Sequence, residues 1–347
     1  MEDRIRLAHG AGGLLSHRLH AFIISRLGGQ DPAMLADGAV LSPDDIGLAA
    51  GGRIVFTTDS YVVSPRRFPG GDIGKLAVCG TVNDLAVMGA RPAVISLALV
   101  IEEGLPTAEL GEYLDGAAAV AREAGVRIVT GDTKVVDRGA ADGIFINTSG
   151  IGAVPEGVEV GPHLAAPGQK IILSGTLGEH SIAIAAVREG LSFAGQVESD
   201  CAPLAEMIGA VLAAAPRKVK AMRDPTRGGL ASVLNEIAAA SQVDIRISES
   251  AIPVLDKVRG ACDLLGYDVL HLANEGKCVF FVEDDADSVA SALDALKSHR
   301  QGREAAIIGE VVRKTDASQT PRVLLETEIG GSRIVDVLTG DLLPRIC

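Results

Sequence analysis

Tryptophan is absent from this sequence, and only three tyrosines and seven phenylalanines accompany its 347 residues. A chain so poor in aromatic rings has no stacking platform for bases. A basic stripe is missing too: 32 basic residues face 45 acidic ones, and the formal net charge is -13. Nucleic acid is therefore excluded as a main partner, because phosphate binding draws on clustered cations. Long apolar runs are also lacking. The most apolar stretch, Ala93 to Ile101, is far shorter than the ~20 residues that cross a bilayer. No basic amphipathic run points to a membrane surface, and the opening Met1-Glu2-Asp3-Arg4 is not a secretion signal. A soluble, cytoplasmic protein is expected.

Five cysteines lie at positions 79, 201, 262, 278 and 347, and no pair has CxxC spacing. The odd count and the spacing exclude a disulfide framework or a structural zinc site. Four of the five are read as small buried apolar residues. Neither a GxSxG elbow nor an HExxH motif occurs.

Glycine is plentiful, at 41 residues, so backbone often bends sharply or approaches a ligand closely. The length suits two domains with full cores. Strands are expected over 53–60, 93–102, 127–133 and 143–152, and helices over 73–89 and 107–124, the latter with Thr107 as N-cap. Pro155 to Pro167 is rich in Gly and Pro without periodicity, which marks a domain boundary. Strand and helix then alternate again to residue 326, followed by a stretch that reads as a mobile tail. The class is α+β.

Chemistry concentrates in aspartates at or near strand ends, beside small residues. They are Asp37, Asp59, Asp84, Asp132 and Asp224. Asp84 stands within an apolar helix, where an unpaired charge costs several kcal/mol and a cation would relieve it. Convergent carboxylates without His or Cys suit Mg²⁺, which prefers oxygen ligands and bridges to phosphates. A single such aspartate is more often a cap or turn residue; five together argue for more. Gly70-Gly71-Asp72-Ile73-Gly74-Lys75 runs straight into a helix and would aim N–H groups at an anion. It is not a Walker A loop, since Leu76 follows Lys75. Gly10-Ala11-Gly12-Gly13 is a second, weaker cradle, and His180 follows a strand as a candidate site residue. Lys134 and Glu275 would make an acid/base pair if they shared one cleft.

Cys347 closes the segment Pro344-Arg345-Ile346-Cys347. A thiol at the end of a tail is a tethered nucleophile that can collect a group at one site and carry it to another. The adjacent carboxylate disfavours its thiolate, so something else must activate it or hand it an activated donor.

Thr57-Thr58-Asp59, the run GDIGKLAVCGTVNDLAVMGARP from Gly71, Gly131-Asp132-Thr133-Lys134, Asp224-Pro225-Thr226-Arg227-Gly228-Gly229, Asn274-Glu275-Gly276 and the closing Pro344-Arg345-Ile346-Cys347 occur in order along the chain. Together they resemble the HypE family of hydrogenase maturation proteins, within the aminoimidazole ribonucleotide synthetase (PurM-like) superfamily. Two departures stand out. Gly178-Glu179-His180-Ser181 replaces the Gly-Asp-His-Gly common in the family, and Arg223 stands where Ser is frequent.

The resemblance implies an N-terminal segment at 1–40, a PurM-like ATP-binding and dimerising domain at 41–155, a second PurM-like domain at 165–315 and a flexible tail at 316–347. It implies a homodimer whose N-terminal domains form a β-barrel-like core, with ATP between the two domains of each chain. Asp37, Asp59, Asp84, Asp132 and Asp224 would hold Mg²⁺. Lys75, Asn83, Gly131, Thr226 and Arg227 would complete the nucleotide site. The implied reaction is an ATP-dependent dehydration. A carbamoyltransferase partner, HypF, loads a carboxamide on Cys347, this protein converts it to a thiocyanate, and the cyano group passes to iron on a HypC–HypD scaffold. Lys134 and Glu275 would handle protons or orient the carboxamide. Other superfamily enzymes fit less well. Selenophosphate synthetase needs a reactive Cys or selenocysteine near its N-terminus, and no Cys precedes Cys79. Thiamine-phosphate kinase and the purine enzyme leave Cys347 unexplained. A rival of another class is a non-catalytic ATP-binding adaptor whose tail is a docking peptide.

Overall fold

The computed structural model describes residues 2–11, 13–28, 38–191, 196–314, 319–340 and 342–347. Asp37 and Gly12, both singled out in the sequence, lie outside the described residues. Helix α1 (Leu14–Leu27) precedes strand β1 (Arg53–Tyr61) and a short ribbon of β2 (Arg67–Phe68) and β3 (Gly71–Asp72). Helix α2 (Ile73–Val87), β4 (Arg91–Glu102), α3 (Thr107–Glu123), β5 (Arg127–Val136) and β6 (Ile144–Val154) complete the first half. Its sheet has the order β1-β6-β4-β5, with β4 and β5 parallel and the other pairs antiparallel.

One face of this sheet is covered. Leu97, Leu99, Ile101, Ile144 and Ile146 turn inward to pack with Leu76, Val82, Leu110 and Leu114 of α2 and α3. Each fully buried side chain of this kind contributes about 2 kcal/mol. The other face is open, and Ile54 and Phe56 on it are 53% and 65% exposed.

Helix α2 is apolar on every side because it is buried on every side. The sheet lies on one flank. On the other, Ala86 and Val87 join the core of the second half. Two glycines make the fit. A Cβ on Gly80 would sit 2.1 Å from the Tyr61 hydroxyl, and one on Gly74 would sit 1.9 Å from the Tyr113 carbonyl oxygen.

The second half comprises β7 (Lys170–Leu173), α4 (Glu179–Arg188), α5 (Ala205–Ala214), β8 (Val219–Arg223), α6 (Gly229–Ser241), β9 (Asp244–Ser248), α7 (Asp256–Leu265), β10 (Val279–Val282), α8 (Ala286–Lys297), β11 (Ala306–Val312), β12 (Val323–Glu326) and β13 (Ser332–Ile334). Seven strands form one sheet in the order β13-β12-β9-β11-β7-β10-β8. Strand side chains alternate between its faces. Ile171, Leu173 and Phe281 meet α6, while Ile172, Phe280 and Val282 meet α5 and α8. Both halves mix helix and sheet as expected for an α+β chain.

Three local expectations are corrected. Pro106, not Thr107, is the residue preceding the α3 helix, and the Thr107 hydroxyl bonds the Glu2 carbonyl instead. Helix α1 and strand β8 were not anticipated. Strand β12 falls where a strand to residue 326 was expected, but the stretch after it, expected as a mobile tail, supplies β13 to the sheet and ends in packed residues. Among the described residues, no helix is long and apolar enough to cross a membrane.

Candidate functional site

Three of the five aspartates converge where α2, β1 and the end of β8 meet. Asp59 shares with Thr57 the face of β1 that looks toward α2, and the Thr57 hydroxyl donates to Asp84 at 2.9 Å. Asp224 follows β8 and is only 8% exposed. Burial first, and then the charges of Asp84 and Asp59, push the Asp224 carboxyl up to about 7, against the pull of Arg223. Burial and Asp59 likewise raise Asp84, although its bond from Thr57 opposes them. Like charges so placed resist ionising together. A cation would relieve them, and carboxylate oxygens are the donor type that Mg²⁺ takes. The donor set therefore fits Mg²⁺ in chemistry. Among the described residues, however, no three acidic, His or Cys side chains are already gathered closely enough to hold a metal ion.

Asp132 does not join them. In β5 it pairs with Ala98, on the open side of the first sheet, opposite the side that carries α2. There Lys134 donates to Asp132 Oδ1 at 2.8 Å and holds that carboxyl below its usual range. Lys134 and Glu275 consequently do not share a cleft within one chain.

Glu275 lies at the heart of the junction between the halves, 3% exposed. Burial, followed by Cys201, Asp224, Asp200 and Asp59, drives its carboxyl well above the usual range. Its Oε1 finds no hydrogen-bond partner among the described residues. Asn83 is a strut between the halves. Its amide donates to Ala202 O at 3.1 Å and Glu275 O at 3.5 Å, and its carbonyl accepts Leu204 N–H at 2.8 Å.

The predicted anion cradle before α2 is taken by the chain itself. Asp72 accepts Gly74 N–H at 2.8 Å and Lys75 N–H at 3.0 Å, and Lys75 Nζ donates to Gly70 O at 2.7 Å. Thr226 and Arg227 lie in the turn that leads into α6, where Gly229 N–H bonds Thr226 O. Arg227 borders a cavity of about 70 Å³ that is walled on its far side by Leu342, Leu343 and Ile346 of the tail. Gly131 is in β5, and a Cβ there would lie 2.1 Å from Leu97 O, so only glycine fits that sheet position.

The tail is seated. Ile346 is 3% exposed, and Leu343 and Cys347 pack with it against the N-terminal core beside Cys201 and Ala273. His180, fully buried, reaches Ile346 O with Nε2 at 2.9 Å and Ser199 Oγ with Nδ1 at 2.8 Å. Burial holds this imidazole below its ordinary pKa. A carbonyl only accepts, so Nε2 carries the proton and Nδ1 accepts from Ser199. The other four cysteines are buried, as expected.

Sequence reasoning missed a buried ionic group behind this site. Lys277 Nζ lies 3.1 Å from Asp200 and 3.4 Å from Glu179. Burial opposes the Lys277 charge, but the two carboxylates outweigh it and raise its pKa. Asp200 also accepts the N–H groups of Glu275 and Gly276 at 3.1 Å each, which fixes the loop that presents Glu275. The signal was present in Asn274-Glu275-Gly276-Lys277, but its partners are 77 and 98 residues earlier in the chain.

Comparison with known proteins agrees with this layout. Residues 31–154 match the AIR synthase related protein N-terminal domain, and residues 166–319 match the corresponding C-terminal domain. The chain is 47% identical to carbamoyl dehydratase HypE of Rhodobacter capsulatus over 350 aligned positions, covering 100% of this chain and 99% of the relative. It superposes on a crystal structure of hydrogenase maturation protein HypE in complex with ATP with a TM-score of 0.92, at 42% identity and 99% coverage of both chains. It also matches the crystal structure of a HypE–HypF complex, with a TM-score of 0.78, 44% identity, and coverage of 94% of this chain and 100% of the other.

Proposed function

This chain belongs to the carbamoyl dehydratase HypE family, and on that premise we propose that it uses ATP to dehydrate a carboxamide carried on the Cys347 sulfur. The product is an S-thiocyanate that supplies cyanide for the iron of nickel–iron hydrogenase. The balance is thiocarboxamide plus ATP to thiocyanate plus ADP and phosphate: the amide oxygen leaves with the phosphoryl group, and its two N–H protons are lost. The observation that carries the reading is the seat of the tail, with Ile346 buried and Cys347 packed into the junction between the halves.

Bound ATP supplies the phosphoryl group that makes the carboxamide oxygen a leaving group. Asp59, Asp84 and Asp224 would hold its Mg²⁺, and Asp37 completes the proposed set. Glu275, buried beside them with its carboxyl pushed well above the usual range, is suited to hold or pass a proton once a neighbouring charge changes. Packing of the tail excludes water, which protects an activated intermediate from hydrolysis.

A homodimer is the proposed assembly, supported by the open sheet face with its exposed Ile54 and Phe56. Asp132 and Lys134 lie on that face, so any contact they make with nucleotide or carboxamide belongs to the seam between two chains. HypF would load Cys347, and a HypC–HypD complex would receive the cyano group.

Intact mass decides the reading. The protein is incubated with its carbamoyltransferase, carbamoyl phosphate and Mg-ATP beside a Cys347→Ala variant. A carbamoyl adduct that loses one water only with hydrolysable ATP, and is absent from the variant, is expected. No adduct on Cys347 with a demonstrably active partner would overturn it in favour of an adaptor.

A further inference from the structure

Residues 345–347 lie beside residues 62–64 as an incomplete β-ladder. Val62 N–H donates to Cys347 O and Ser64 N–H to Arg345 O, both at 3.2 Å. The register is antiparallel. In a complete antiparallel ladder the carbonyls of 62 and 64 would accept from tail N–H groups. Here they accept from guanidinium groups instead: Arg345 Nε reaches Val62 O at 2.8 Å, and Arg188 Nε reaches Ser64 O at 2.6 Å.

Arg188 closes both sides of the pairing, because its Nη2 also donates to Arg345 O at 2.7 Å. Arg345 stands at φ 54°, a left-handed conformation that a side chain resists unless its surroundings impose it. Asp142 supplies part of that constraint, accepting Arg345 Nη2 at 2.9 Å. Its other oxygen accepts Arg66 Nη1 at 3.0 Å, and Arg66 is braced by Glu109 and Tyr113. From the opposite half, His180 grips the Ile346 carbonyl. Of these contacts among the described residues, two are backbone to backbone and the others come from side chains. A seat built this way holds firmly yet opens when a few charged contacts are exchanged.

We propose that Arg188, Asp142 and His180 are positioning residues that hold the Cys347 thiol in the inserted state, favouring the ATP-dependent step over loading by the partner. The second part rests on the reading of Cys347 as the carrier; the first does not. Arg345 and Asp142 are 40% and 46% exposed, so the latch is open to competition from solvent ions.

The test uses the full-length protein and two variants at partly exposed positions, Asp142→Asn and Arg188→Gln, with Arg188→Lys as the conservative control. Iodoacetamide labelling of Cys347 is followed by peptide mass, with the four buried cysteines as an internal standard of intact folding. Loss of a charge-assisted contact predicts labelling roughly tenfold faster in both variants, partly restored in Arg188→Lys. The same variants accept the carbamoyl group at least as fast as wild type, but lose water from the loaded cysteine roughly tenfold more slowly at saturating ATP. Cys347 labelling at the wild-type rate in both variants overturns the proposal. So does faster labelling of all five cysteines together, which would mean general loosening. A wild-type protein that labels slowly, opens in the variants and yet is never carbamoylated would overturn the carrier reading while leaving the seat established.

Discussion

His180 Nε2 lies 2.9 Å from the carbonyl oxygen of Ile346, although 166 residues separate them in sequence. The contact ties the first turn of α4 to the residue before Cys347. It places the candidate nucleophile at the junction of the two halves, where Glu275 and the three aspartates also gather. The Ser that replaces Gly at position 181 takes part as well, bonding Ala273 O at 3.1 Å.

The Asp224 carboxyl gives the protein a pH-dependent stability. Its pKa in the fold is about 7, above the unfolded 3.8, so the folded state binds the proton more tightly. Stability contributed by that proton is present below the unfolded value and declines as pH rises from about 4 to about 7. The loss is on the order of 4 kcal/mol if Asp224 acts alone. Melting temperature against pH in metal-free buffer should fall across this window, and Asp224→Asn should flatten it. Mg²⁺ should raise the melting point more at pH 8 than at pH 5. An equal slope in the variant would show that another group is responsible.

Removing the charge of Asp84 should release its neighbour. In Asp84→Asn the Asp224 titration moves down toward the ordinary carboxylate range, because one repulsive charge is gone. Carbon-13 NMR of the aspartate carboxyls would follow it. Single-turnover dehydration should drop by roughly a hundredfold, the scale typical of losing one electrostatic stabiliser.

Glu275→Gln separates proton handling from packing. Because burial already favours the protonated form of Glu275, the amide should change unfolding free energy by less than about 1 kcal/mol. If Glu275 passes a proton, dehydration slows by roughly a hundredfold or more in the same variant. Normal turnover would leave Glu275 a spacer.

Asn83→Ala should cost about 2–3 kcal/mol, since it strands the Leu204 N–H and two carbonyls at the junction. Urea unfolding checks the figure. A loss of ATP affinity without a loss of stability would make Asn83 a ligand rather than a strut.

Phe56→Glu places a charge on the open sheet face, where Phe56 is now 65% exposed. Sedimentation should convert a dimer of wild type into a monomer of the variant. A wild-type protein already monomeric at micromolar concentration would remove the dimer from the proposal.

Much of this protein is decided locally. The period of apolar residues and the Gly and Pro stops of α2, α3 and the flanking strands follow from neighbours in sequence, and so does the motif set ending in Cys347. A buried aspartate in an apolar helix was also legible, because its cost does not depend on what surrounds the helix. Which charges meet was not legible. Strand β5 turns Asp132 and Lys134 to the face opposite Asp84, and one residue of register settles that choice. Asp72 caps α2 and fills the cradle that its glycines promised. The seat of the tail needs Val62, Asp142, and His180 with Arg188 of α4, from three separate segments. Hydrogen bonds of that range are specified by packing rather than by spacing, and only the folded chain brings them together.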